Sequence, residues 1–250
     1  MRRQGNRGGA EAGFSLAELM IAMFITLSLM AMASKTLMQC FNVRLREDSR
    51  TAALADVQRA LNTISREVAS SGYGLKNNGV VGCSGASAST CDSDVTSIRV
   101  RANLNRFSTT PNDADTADDN EDVKFFLGSS TDGNSYIVRY NANSTGTIPK
   151  ATVLANRVDA LQFHYFDTRV TYTAVDYSPA SPSASLIASA RDSAGNAVAE
   201  VAPNQAKYVV IAVAVRLPAV GTQGVEGYQP ESQQMLVSDV ALRNSDLTNY

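Results

Sequence analysis

Between Phe14 and Ser71 the chain contains neither proline nor glycine. With no residue to break the backbone ladder, that run reads as one helix. From Phe14 to Met38 it is almost wholly apolar, and Leu19 to Ser34 carries no charge. The apolar part spans about 37 Å as helix, against a hydrocarbon layer of about 30 Å. The only charges inside it are Glu18 and Lys35, each near an end. Further on, Leu54, Val57, Leu61, Ile64 and Val68 recur at spacings of three and four, which makes one apolar stripe. Asp56, Arg59, Asn62, Arg66 and Glu67 fall on other faces. The first stop is Ser71-Gly72-Tyr73-Gly74. The spacing therefore predicts a helix from Phe14 to about Ser70, about 85 Å long. Its first half is apolar all round and its second half amphipathic, which suits an element with one end in a membrane and the other against a globular head.

Residues 1–13 are polar and basic, with Arg2, Arg3 and Arg7. Three readings of this start compete. One is a conventional signal peptide with an apolar core from Leu19 to Met30 and Ala31-Met32-Ala33 as its cleavage site, so that the mature chain begins at Ser34. The second is an uncleaved anchor. The third is a cut at Gly13 that keeps the apolar run. Flanking charge does not decide the orientation, because Lys35, Arg44 and Arg46 follow the run much as the three arginines precede it. The helical pattern that continues past the run argues against a signal peptide, which ends in a cleavage site and an ordinary mature start.

The rest of the composition narrows the function classes. A formal net charge of −2 gives no general nucleic-acid signal. There is no tryptophan and one histidine, His164, which limits histidine-based catalysis and histidine-rich metal sites. Cys83 and Cys91 enclose a Ser/Gly-rich loop that a disulfide would order in an oxidising compartment. In the cytosol they would be two free thiols. Cys40 reads as a small helix residue.

Past residue 74 the pattern changes to strands and long loops. Val95–Arg101, Val123–Leu127, Ser135–Tyr140, Ala160–Phe166, Lys207–Leu217 and Met235–Leu242 read as strands. Lys207–Leu217 has a large apolar face (Val209, Ile211, Val213, Val215, Leu217) and a smaller one (Val210, Ala212, Ala214). It should be central in an antiparallel sheet, with the helix stripe over its large face. Pro111–Asp122 and Ser178–Ala190 read as loops without a core face. The first is acidic, and Asp113, Asp115 and Asp118 form a weak Ca²⁺ candidate. It departs from the EF-hand template, with Ala117, Asp118 and Lys124 at its fifth, sixth and twelfth positions, so a solvated acidic loop is the reading preferred. His164 falls on the face of its strand expected to meet solvent. Ser84 fails the G-x-S-x-G elbow at its last position, and no Walker, Rossmann or Cys/His metal spacing is present. The sequence offers no catalytic constellation and implies no cofactor.

Gly13-Phe14-Ser15-Leu16-Ala17-Glu18-Leu19-Met20-Ile21-Ala22 resembles the signal of type IV pilins and pseudopilins. Arg59–Gly74, Asn156–Asp167 and Lys207–Pro218 look like the corresponding stretches of PilW-type minor pilins. The resemblance implies an α+β fold with a long N-terminal helix on an antiparallel β head. It divides the chain into a cleaved leader (1–13), an apolar transmembrane and filament-core helix (14–38), its amphipathic continuation (39–71) and the head (72–250). It implies cleavage by a prepilin peptidase between Gly13 and Phe14, N-methylation of Phe14, and a subunit-docking role for Glu18. It implies as partners the other minor pilins, the major pilin and the inner-membrane assembly platform, and a role in priming pilus assembly at or near the tip. The precursor would sit in the inner membrane with its head in the periplasm and reach the cell surface in the pilus. Two departures from major pilins favour a minor one: Lys35 stands where a helix-bending proline is common, and the cysteine pair follows the helix closely. A J-type pseudopilin of type II secretion shares the plan and is the alternative. A secreted binding protein cleaved after Ala33 is the second.

Overall fold

The computed structural model describes residues 15–83, 91–105, 118–131, 133–144, 146, 149–178, 180–181, 183–225 and 228–244. One helix, α1, runs unbroken from Leu16 to Ala69, a length of about 81 Å. It ends where the sequence offers a stop. The Ser70 N–H still reaches Arg66 O and the Ser71 N–H reaches Val68 O, and then Gly72 turns the chain at φ +75°. Gly72 lies so close to Gly79 that a Cβ on Gly79 would fall 2.1 Å from the Gly72 nitrogen. Only glycine fits this crossing, which returns the chain along the first strand.

Among the described residues nine strands follow: β1 (Ser97–Arg101), β2 (Asp122–Ser129), β3 (Ser135–Asn141), β4 (Ala151–Asn156), β5 (Val158–Phe166), β6 (Thr171–Ala174), β7 (Ile187–Arg191), β8 (Tyr208–Leu217) and β9 (Ser232–Ala241). They form three antiparallel sheets in the orders β1-β2-β3-β4, β5-β8-β9 and β6-β7. A single residue, Arg157, carries the chain from the first sheet into the second, in the left-handed region at φ +60°. For a residue with a Cβ this costs about 1 kcal/mol.

The core lies where α1, the inner face of the first sheet and one face of the second converge. The helix contributes Ala53, Val57, Ala60, Leu61, Ile64 and Val68, all buried. The first sheet adds Ile98, Phe125 and Ile137, and β8 adds Val209, Ile211, Val213 and Val215. The expected central strand is thus central, and its large apolar face meets the expected helix stripe. Val210, Ala212 and Ala214 on its other face meet Phe166, Val170, Leu186 and Ile187. At the helix end, Arg139 Nε donates to both carboxylate oxygens of Glu67 at 2.9 and 3.0 Å.

Three sequence expectations are corrected here. Ser178–Ala190 is not a loop without a core face, because it runs into β7 and buries Leu186 and Ile187 against β8. His164 is not on a solvent face: it is 2% exposed, since the segment leading from β6 through Glu200 covers that side of β5. The acidic stretch is not solvated at its end. Glu121 and Asp122 are buried. Asp122 takes two bonds from Arg99 (2.6 and 2.8 Å) and one from Arg101 (2.8 Å), and Glu121 Oε1 accepts the Leu104 N–H at 2.7 Å. The hydrogen bond to Asp122 is the main cause that raises the Arg99 pKa above its ordinary value.

Tyr165 is buried, with its hydroxyl 3.1 Å from Asp94 O and 3.2 Å from Ser97 O. Burial first, then the charge of Asp94, holds its phenol well above the ordinary tyrosine range. The folded chain therefore keeps this proton where the unfolded chain loses it. The contribution to stability is intact below about pH 10 and is lost as pH rises beyond it. Tyr165→Phe should lower stability by about 1 kcal/mol at pH 7 and lose less between pH 9 and 11 than the parent, measured by urea denaturation across that range. An alkaline loss equal to the parent's would contradict this origin.

Candidate functional site

The apolar side chains in the first half of α1 are not covered by any of the described residues. Leu16, Leu19, Met20, Ile21, Met23, Phe24 and Ile25 are each more than half exposed, and so are Leu27, Leu29, Met30 and Met32. A bare apolar cylinder of this length is not stable in water and marks an interaction surface. Among the described residues, α1 is the one helix long and apolar enough to cross a membrane. Its polar atoms suit that setting. The hydroxyls of Thr26, Ser28, Ser34 and Thr36 donate to Met23 O, Phe24 O, Met30 O and Met32 O at 2.8 to 3.0 Å. Each is satisfied inside the helix, so none needs water.

Glu18 closes the start of this surface. Ser15 is the N-cap: its Oγ accepts the Ala17 N–H at 3.3 Å, and its own N–H donates to Glu18 Oε2 at 3.0 Å. The carboxylate thus folds back along the axis toward the positive end of the helix dipole. It comes to rest one residue after Phe14. Gly13 and Phe14 themselves lie outside the described residues.

The head is joined to the helix at two levels. Near the top are the packed stripe and the Arg139–Glu67 pair. Lower down, Arg46 Nη1 donates to Gln229 Oε1 (3.2 Å) and Pro230 O (2.9 Å), and Nη2 donates to Ser232 Oγ (2.8 Å). This clamp holds the loop between β8 and β9, whose stem is the Val220–Gln229 bridge. Sequence reasoning assigned Arg46 only to the charge flanking the apolar run. It falls four residues before Arg50, which also reaches β9 through Gln234 Oε1 at 3.5 Å, so the apolar stripe continues downward as a polar one.

The other sequence candidates are placed as follows. Cys83 and Cys91 form a disulfide, and Cys40 is exposed on α1. Asp118 Oδ2 accepts Asn105 Nδ2 at 2.6 Å, while Asp113, Asp115 and Ser84 lie outside the described residues. Among the described residues no three His, Cys, Asp or Glu side chains come together as a metal site. His164 Nδ1 is 2.7 Å from Glu200 Oε1, and its Nε2 is buried without a partner among the described residues. Beside it, Gln162 Nε2 donates to Ala184 O and its Oε1 accepts the Leu186 N–H, both at 2.8 Å. These two polar side chains fasten the covering segment to β5.

Residues 9–34 match the prokaryotic N-terminal methylation motif. The chain thus carries a type IV pilin-like signal, and its long helix on antiparallel sheets is a pilin-like α+β architecture. No curated protein and no solved structure matches the chain.

The clamp makes a local prediction. Arg46→Ala should speed amide exchange at Val220 and Gln229, whose mutual bonds close the loop stem, at least tenfold, with β5 and the upper part of α1 unchanged. Hydrogen-exchange mass spectrometry of the detergent-solubilised chain reads this. Unchanged exchange at the stem would mean that the loop holds itself.

Proposed function

We propose that the chain is a prepilin-type subunit and, within that class, a minor pilin of the PilW type that primes pilus assembly. The observation that carries the reading is the Glu18 carboxylate bonded to the Ser15 N–H, at the head of an apolar helix segment whose large side chains are exposed among the described residues. A prepilin peptidase cut after Gly13 would create an amine on Phe14, with a reference pKa of about 7.7–8.0, positive at neutral pH. Glu18, whose carboxylate accepts the Ser15 N–H, follows that amine by four residues in the sequence. Within the chain it can neutralise its own amine, and in an assembly it can neutralise that of the next subunit. In apolar surroundings an unpaired charge is costly, so subunits would stop sliding where this pair forms.

In this reading residues 1–13 are the leader, 14–38 the membrane and filament-core segment, 39–71 the helix continuation and 72–250 the head. The precursor is held in the inner membrane with its head in the periplasm. The peptidase, the assembly platform, the major pilin and the other minor pilins are its partners, and the assembled subunit stands at or near the pilus tip. The methylation motif is shared with pseudopilins, so a J-type pseudopilin remains the alternative. Loss of the protein should abolish piliation if it is a minor pilin, and should block secretion of folded proteins with pili intact if it is a pseudopilin.

Mass spectrometry of the mature N-terminus tests the class directly. N-methyl-Phe14 is the expected end group, and a chain beginning at Ser34 would overturn the proposal. Glu18→Ala should leave the protein in the membrane and reduce its amount in sheared filaments at least tenfold by immunoblot. Normal incorporation of that variant would remove the docking role.

A further inference from the structure

Among the described residues two that are not glycine occupy the left-handed region, Asn120 and Arg157. Asparagine tolerates that conformation, and the Asn120 side chain is engaged there by Arg139 Nη2 at 2.9 Å. Arginine has no such tolerance, and glycine would take the position without strain. The Arg157 carbonyl is pinned by the Arg216 N–H at 2.8 Å, but its guanidinium has no partner among the described residues. An arginine kept where glycine would be easier, with its charge unused, points to a role for the side chain.

That side chain lines a half-open cleft of about 410 Å³ with Asn134, Asn156, Asp159 and Arg216. Arg216 is already matched, by Asp159 at 2.7 Å and Glu231 at 3.6 Å, and Asp159 also accepts Gln233 Nε2 at 2.8 Å. Arg157 is thus the cleft cation left without a counter-charge among the described residues. Its guanidinium suits one negative charge. A phosphate dianion would be repelled by Asp159 and Glu231, whereas a carboxylate matches the planar guanidinium fork and the amide donors of Asn134 and Asn156. The cleft is at the end of the head nearest the apolar helix. Arg216 pairs with Gln233 in the β8–β9 ladder, next to Ser232, which Arg46 holds. The opposite end of β8 lies near Ala69, where the Arg243 N–H bonds Ala69 O. In a stack of such subunits the lower end of one head meets the next.

We propose that this cleft is a carboxylate socket whose occupant is an Asp or Glu side chain of the adjoining subunit. The occupant rests on the assembly reading above; the socket does not. The test uses the full chain in detergent, with N-acetylglutamate methylamide as probe and its glutamine counterpart as neutral control. The carboxylate probe should shift the amide signals of Asn134 and Asn156 saturably, and the control should not. Arg157→Gly and Arg157→Gln should each weaken binding at least tenfold. Arg157→Gly should also unfold at a higher temperature than the parent, which separates lost binding from lost folding. No saturable shift, or binding by the Gly and Gln variants as tight as the parent's, overturns the socket. For the occupant, a photo-crosslinking residue at Asn134 in cells should yield an adduct on an Asp- or Glu-bearing peptide of another pilin-class subunit. Filaments that contain the chain but no such adduct overturn the occupant. Probe binding by a chain that never enters filaments upholds the socket and overturns the assembly reading.

Discussion

One rigid rod has to satisfy two solvents. From Leu16 to Ala69 the backbone of α1 has no break. The lower half presents apolar side chains in every direction, and the upper half presents a single stripe to the head. A helix this long is not held by its own propensity, since most helical stability in proteins comes from packing. The upper half has that packing within the chain, and the lower half has to find it elsewhere. Because no hinge separates the two, whatever surrounds the lower half also sets the direction of the head.

The head answers with a central strand, β8, that is buried on both faces. β8 buries its larger side chains under α1 and its smaller ones under the β6–β7 layer. That second layer is small, with strands of four and five residues, and apolar contact alone would hold it loosely. Gln162 and His164 add direction: each projects from β5 and bonds a specific atom of the cover. Both sheets are tied to the same helix, and Arg157 joins them with no slack.

Much of this was legible in the sequence. The helix, its stop, the central strand β8 and five of its companions follow from periodicity and turn residues, because each has a clear apolar face. The cysteine pair was visible from its spacing, and the N-terminal signal from Gly13, Phe14 and Glu18 together. What stayed hidden has physical causes. Alternation in β5 distinguishes two faces but not water from a second protein layer, so it cannot show that the face bearing His164 is covered. β7 starts inside a Ser/Ala/Pro stretch, and only the adjacent Leu186-Ile187 could have betrayed it. β4 leaves little trace in the sequence, because Thr152 and Val153 are exposed and the strand is short. Nothing in Ala155-Asn156-Arg157-Val158 marks a change of sheet, since a left-handed residue is expected at glycine or asparagine and not at arginine.

The direction of β8 has a mechanical consequence. One end of its ladder with β9 is held at Arg46 and the other lies near Ala69. These points are about 35 Å apart along the helix, so the strands run lengthwise beside it. A force drawn along α1 would load the β8–β9 pairing in shear, across all its hydrogen bonds together, instead of unzipping them in turn. A head attached in this way resists traction along the helix far better than it would if the strands were peeled apart one bond at a time.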